Sequence, residues 1–223
     1  MREILCYGDS NTYGYSPYDG TRFPPEIRWT GRLQSALGPG FHVIEEGCNG
    51  RTTNYAEEEE PWKDGWTSLH AILNTHKPLD LVILMLGTND LKDMFGAEPE
   101  DIAGNILRYA KEISAFTKLK QQTAAKVMVI APPSIRPEIV NSPFGDNFSI
   151  RSYEKCLRMP ALYKKAAKEA GCIFADASFI NASKEDCLHL GAEGHREFAE
   201  LIAGKVKKLF SPGSEAPRKN VPA

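Results

Sequence analysis

The sequence predicts an α/β protein, a three-layer α/β/α sandwich around a five-stranded parallel sheet of the flavodoxin-like kind. Three observations carry that expectation. Five short apolar runs alternate with stretches of helical periodicity, the pattern of a parallel sheet wound by crossover helices. Runs such as "LVILML" at 81–86 are apolar throughout rather than at every second residue, so both faces of the sheet need cover. Right-handed crossovers between parallel strands then put helices on both sides.

In chain order the first strand is expected over 4–7, followed by a helix over 29–37 and a second strand over 41–44. A helix over 68–74 leads to the third strand, 81–86. The helix over 100–120 places Ile102, Ile106, Tyr109, Ile113 and Phe116 at spacings of three and four, which gives one apolar face. A fourth strand over 127–131, a helix over 153–170 and a fifth strand over 173–175 follow. The last helix, 192–210, repeats the spacing with Phe198, Leu201, Ile202, Val206 and Leu209. Two irregular stretches, 49–66 and 132–150, are long for connections in a compact domain and read as lids or interface pieces. Residues 1–210 thus form a single domain, and 211–223, "SPGSEAPRKNVPA", form a tail with little to pack, expected to be disordered.

Bulk composition narrows the function. With 27 basic and 29 acidic residues the net charge is -2, which offers no footprint for nucleic acid or an anionic membrane surface. A small, near-neutral ligand fits better. The acidic run at 57–60 reads as a solvated loop with no function. Five cysteines, odd in number and without C-x-x-C, indicate neither a disulfide framework nor a zinc site. Reduced thiols point to the cytoplasm. No apolar run approaches a signal peptide or the roughly 18 residues of a membrane span. No metal or organic cofactor is expected.

In open parallel sheets ligands bind beyond the carboxyl ends of the strands. There the sequence places "GDSN" with Ser10, "EEGCNGRTT" with Gly47, Asn49 and Gly50, "GTND" with Asn89, and "DCLHL" with Asp186 and His189. Ser10 admits three readings: a helix cap, part of a phosphate cradle, or a nucleophile. Gly14, Pro17, Gly20, Pro24 and Pro25 leave room for only a short turn after a cap. The cradle reading lacks G-x-x-x-x-G-K-[ST] and G-x-G-x-x-G, and Asp9 would oppose an anion. The nucleophile reading employs Asp186 and His189, since a serine hydroxyl needs a base and the base an orienting carboxylate. The order Ser, Asp, His is that of α/β hydrolases, yet G-x-S-x-G is missing, so a different hydrolase architecture is implied. His195, six residues beyond His189, competes weakly as the base.

These blocks resemble those of the SGNH, or GDSL-type, hydrolases. "RWTG" at 28–31, "VIEEG" at 43–47, "RTTN" at 51–54 and "PLDLVILMLGTND" at 78–90 are further similar to the bacterial arylesterase and acyltransferase subgroup. The resemblance implies an SGNH-type fold with Ser10 as nucleophile, His189 as base and then acid, and Asp186 as its partner. It implies an oxyanion hole from the N–H groups of Ser10 and Gly50 and the amide of Asn89, an esterase activity on small esters with acyl transfer to alcohols or peroxide as a side reaction, and a homo-oligomer. Tyr13, Tyr15 and Trp29 are candidates to shape the substrate pocket; Cys48 and Cys187 read as packing residues. Rival readings are a deacetylase of acetylated carbohydrate, a flavodoxin-like nucleotide carrier that would not need His189, and a non-catalytic interaction or carbohydrate-binding protein.

Overall fold

A computed structural model describes residues 1–211 of the chain. The tail expected to be disordered falls, apart from Ser211, on 212–223, outside the described residues. The five apolar runs form β1 (Arg2–Gly8), β2 (Phe41–Gly47), β3 (Leu81–Met85), β4 (Lys126–Ala131) and β5 (Ile173–Asp176). They pair in parallel in the order β2-β1-β3-β4-β5. From β1 the chain therefore winds first to one side and then to the other. That reversal sets the ligand crevice of such sheets at the carboxyl end of β1.

The helices are α1 (Ser10–Tyr13), α2 (Trp29–Leu37), α3 (Gly65–His76), α4 (Pro99–Gln121), α5 (Ile150–Glu169) and α6 (Ala192–Leu209). Because side chains alternate across a strand, Leu5, Tyr7, Val82 and Leu84 face one core with Leu69, Ile106 and Tyr163 of α3, α4 and α5. Ile4, Cys6, Leu81 and Ile83 face a second core with Leu33 of α2 and Phe198, Ile202 and Val206 of α6. Three layers result.

Boundary differences have local causes. β2 runs three residues past its apolar stretch because its backbone stays in register with β1 to the Gly8–Gly47 pair, and an edge strand tolerates Glu45 and Glu46. α3 begins before residue 68 because the Asp64 side chain accepts the Trp66 N–H at 2.9 Å and caps the first turn. α5 begins before residue 153 through a capping box between Ser149 and Ser152. At Gly47 a Cβ would run into the backbone of Thr12 and Tyr13, so this glycine lets α1 sit directly on the end of β2.

Candidate active site

Ser10 is the first residue of α1, at the switch point, and is buried. Asp9 caps the turn: its Oδ1 accepts the Asn11 N–H at 3.0 Å. Burial pushes the Asp9 carboxyl up to about 7, and its Oδ2 has no hydrogen-bond partner among the described residues. Gly14 ends the turn in the left-handed region, with φ of 87°.

The histidine arrives from the far end of the chain, in the loop before α6. Asp186 Oδ1 accepts the N–H groups of Leu188 at 3.0 Å and His189 at 2.9 Å, which fixes the carboxylate. Its Oδ2 lies 2.6 Å from His189 Nδ1, and His189 Nε2 lies 2.9 Å from Ser10 Oγ. Burial opposes ionisation of Asp186, but the hydrogen bond and charge of His189 and the two N–H donors outweigh it and hold the carboxyl below its ordinary value. A neutral imidazole with its proton on Nδ1 can donate to Asp186 while Nε2 accepts from the Ser10 hydroxyl. Asn11 secures the approach, since its Oδ1 accepts the Leu190 N–H at 2.9 Å. In the sequence Asn11 marks only the position after the serine; its link to residue 190 depends on the fold.

Ser10, Gly50, Asn89 and His189 line one cavity of about 260 Å³. Gly50 adopts φ of 79°, which favours glycine, and a Cβ there would meet Lys63 Cε at 2.6 Å. The Gly50 N–H has no hydrogen-bond partner among the described residues. Asn89 Nδ2 donates to the Arg51 carbonyl at 3.1 Å. The next residue, Asp90, is buried and accepts the Thr53 N–H on both oxygens at 3.0 Å, together with the Thr53 hydroxyl. Burial pushes Asp90 up to about 6. The Arg51 guanidinium donates to the Gly8 carbonyl at 2.9 Å and lies 4.3 Å from the Tyr7 ring centroid. Segment 51–53 is thus pinned to the ends of β1 and β3.

Of the three aromatic residues expected at the pocket, Tyr15 lines it, with its ring 4.2 Å from that of His189. Tyr13 and Trp29 do not line it. The Tyr13 ring lies under the Arg22 guanidinium, while Trp29 is fully buried, donates its indole N–H to the Asn11 carbonyl at 3.0 Å and packs on Phe198. Trp29 is a core residue because its helix faces the sheet. His195 does not contact Ser10: it is fully buried, its Nδ1 accepts the Trp29 N–H at 3.2 Å, and desolvation holds its pKa down at about 3. Cys187 packs into the core, whereas Cys48 is half-buried.

The loop 132–150 supplies Phe144 and Phe148, which line the cavity; the Phe144 ring stands edge-on to His189 at 5.3 Å. The reading of 57–60 as a solvated run needs correction. Glu58 and Glu59 are exposed, but Glu57 is half-buried and bridges Lys63 and Lys92 beside the cavity. The charge run carries no sign of this, because Lys63 stands six residues beyond Glu57 and Lys92 comes from beyond β3.

The family model described as GDSL-like lipase/acylhydrolase matches residues 6–197. A carbohydrate acetylesterase from Sinorhizobium meliloti superposes with a TM-score of 0.87 at 37% identity, covering 94% of this chain and 100% of its own. The aryl esterase of M. smegmatis does so at 0.86 and 34%, with the same coverage of 94% and 100%. A carbohydrate acetylesterase family member, also from S. meliloti, reaches 0.88 at 32%, covering 95% and 100%. No curated protein matches the chain. The match along 6–197 and these full-length likenesses mean that the chain belongs to the GDSL-like lipase/acylhydrolase family, the SGNH type of ester hydrolase that its motifs resemble.

Proposed function

We propose that the chain is a serine esterase that cleaves small, neutral carboxylic esters through an acyl-Ser10 intermediate. The observation that carries this reading is the continuous relay from Asp186 Oδ2 through His189 to Ser10 Oγ, with steps of 2.6 and 2.9 Å, opening on the cavity. His189 Nε2 takes the Ser10 proton as Oγ attacks the ester carbon. The carbonyl oxygen becomes an oxyanion, held by the N–H groups of Ser10 and Gly50 and by Asn89 Nδ2. His189 then gives the proton to the departing alkoxide, leaving an acyl-serine and an alcohol. Water, deprotonated by His189, attacks the acyl carbon, and collapse of the second tetrahedral species releases the acid and restores Ser10.

The cavity volume of about 260 Å³ suits an acetyl or short acyl group. Aryl acetates and acetylated carbohydrates are the two substrate classes in this reading. The polar side chains of Asn49 and Asn147 in the lining favour a hydroxylated alcohol portion, and the likeness to carbohydrate acetylesterases supports the same class. Acyl transfer to an alcohol is a side activity in this reading, supported by Tyr15 and Phe144, which flank His189 and restrict water around the acyl-enzyme. Free cysteines and the absence of a membrane-crossing helix among the described residues support a cytoplasmic setting. Assembly into a homo-oligomer belongs to the same reading, and light scattering tests it.

The testing experiment is hydrolysis of p-nitrophenyl acetate, p-nitrophenyl butyrate and a peracetylated sugar by the wild type and by folded Ser10→Ala. Turnover by the wild type with loss to background in the variant supports the reading. Equal rates in both, or none in either, would end it.

A further inference from the structure

The Gly50 turn is closed by the Arg51 N–H donating to the Cys48 carbonyl at 3.1 Å, but among the described residues nothing takes up the N–H of Gly50 itself, unlike the pinned segment 51–53 that follows. What lies against the tip is the aliphatic stem of Lys63. Lys63 Nζ donates to Glu57 Oε2 at 3.0 Å and also to Glu60. Lys92, three residues beyond Asn89, donates to the other oxygen, Glu57 Oε1, at 2.5 Å. One carboxylate therefore joins two lysines, one belonging to the Gly50 loop and one to the strand end that carries Asn89.

Exposed ion pairs contribute little to a structure. This bridge is more enclosed: the side chains of Lys63, Lys92 and Glu57 retain 13%, 12% and 19% of their exposure. Among the described residues Glu57 is the carboxylate paired with Lys92. Both lysines and Glu60 line the cavity, so the two positive charges at its mouth are balanced by Glu60 and by Glu57 behind them.

We propose that Glu57 is a positioning residue for ester cleavage: by bridging Lys63 and Lys92 across the cavity mouth it holds the Gly50 turn against the Asn89 strand end and leaves the mouth without net charge. The inference rests on the esterase reading, since Gly50 and Asn89 matter to the reaction only as oxyanion donors. Such donors must already be fixed when charge develops, and a small displacement is costly. Charge balance at the mouth matters separately, because an unpaired lysine there attracts anionic esters that the native mouth does not favour.

Glu57→Gln keeps the volume and removes the charge. With p-nitrophenyl acetate its kcat should fall about tenfold, with KM within about twofold of wild type, because a transition-state contact is loosened rather than a ground-state one. Amide hydrogen exchange across 49–66 should accelerate. The kcat/KM ratio for the p-nitrophenyl hemisuccinate anion over the acetate should rise about two- to fivefold at low salt and return toward wild type in high salt. Glu57→Asp should restore the charge preference. Lys92→Met breaks the bridge from its other end and should also lower kcat and accelerate exchange, but it should shift the hemisuccinate ratio the opposite way. It also carries the test if Glu57→Gln does not fold. An active wild type whose variants keep their exchange or their kcat overturns the Glu57 inference alone. A wild type inactive on both esters removes the esterase reading and the catalytic part of the inference with it.

Discussion

His189 Nε2 and Ser10 Oγ lie 2.9 Å apart although 179 residues separate them in the chain. The contact exists because β1 ends at the switch point and because Asn11 Oδ1 accepts the Leu190 N–H at 2.9 Å, which holds the histidine loop to α1. If Asp186 orients this imidazole, Asp186→Asn should keep the fold and lower kcat by roughly 10³–10⁴ through the wrong tautomer. Steady-state kinetics with p-nitrophenyl acetate, alongside thermal melting, checks it; a loss below tenfold would remove Asp186 from the relay.

Asn89 is expected to act in the transition state more than in substrate binding. Asn89→Ala should lower kcat roughly 10²–10³-fold with a small change in KM. Its loss also leaves the Arg51 carbonyl without its 3.1 Å donor, so some loss of stability is expected as well. A variant with raised KM and unchanged kcat would make Asn89 a ground-state contact instead.

Asp9 predicts a pH-dependent stability. Its folded pKa of about 7 lies above its ordinary value of 3.8, so the folded state binds its proton more tightly than the unfolded chain does. The stability tied to that proton is complete below the unfolded value and is lost as pH rises through the folded one. Asp9→Asn keeps an oxygen for the Asn11 N–H and cannot ionise. It should match the wild type near pH 4 and exceed it by about 2–4 kcal/mol at pH 8, as denaturant titration at the two pH values would show. Equal stability at pH 8 would refute the buried-charge account.

Much of this site is visible in the sequence because its chemistry is carried by short local patterns at the ends of apolar runs. The run before Ser10 and the D-x-x-H spacing of Asp186 and His189 require no knowledge of distant packing. Phe144 and Phe148 are different: only the path of 132–150 over the sheet edge brings them to His189. Trp29 and Tyr13 mislead for the converse reason, since nearness in sequence to the serine says nothing about which face a ring takes. Glu57 looks like one acid among four until Lys63 and Lys92 are placed beside it.

His195 separates structure from chemistry most directly, because it is a second histidine six residues from the first. Its imidazole is buried, accepts the Trp29 N–H at 3.2 Å and stands edge-on to Phe23 at 5.4 Å, far better suited to a neutral form than to a proton carrier. Desolvation lowers its pKa to about 3, whereas an unfolded histidine titrates near the ordinary value of 6.5. The unfolded chain therefore binds the extra proton between those values, and the stability this group supports is present above 6.5 and is lost as pH falls toward 3. His195→Asn retains an acceptor for the Trp29 N–H and has no imidazole to protonate. It should keep kcat within about threefold of wild type while its acid-unfolding midpoint moves to lower pH, whereas His189→Asn should lose at least about 10³ in kcat. Activity assays and acid titrations on the two variants decide the assignment; a collapse of kcat in folded His195→Asn would make His195 the base and leave His189 without a role.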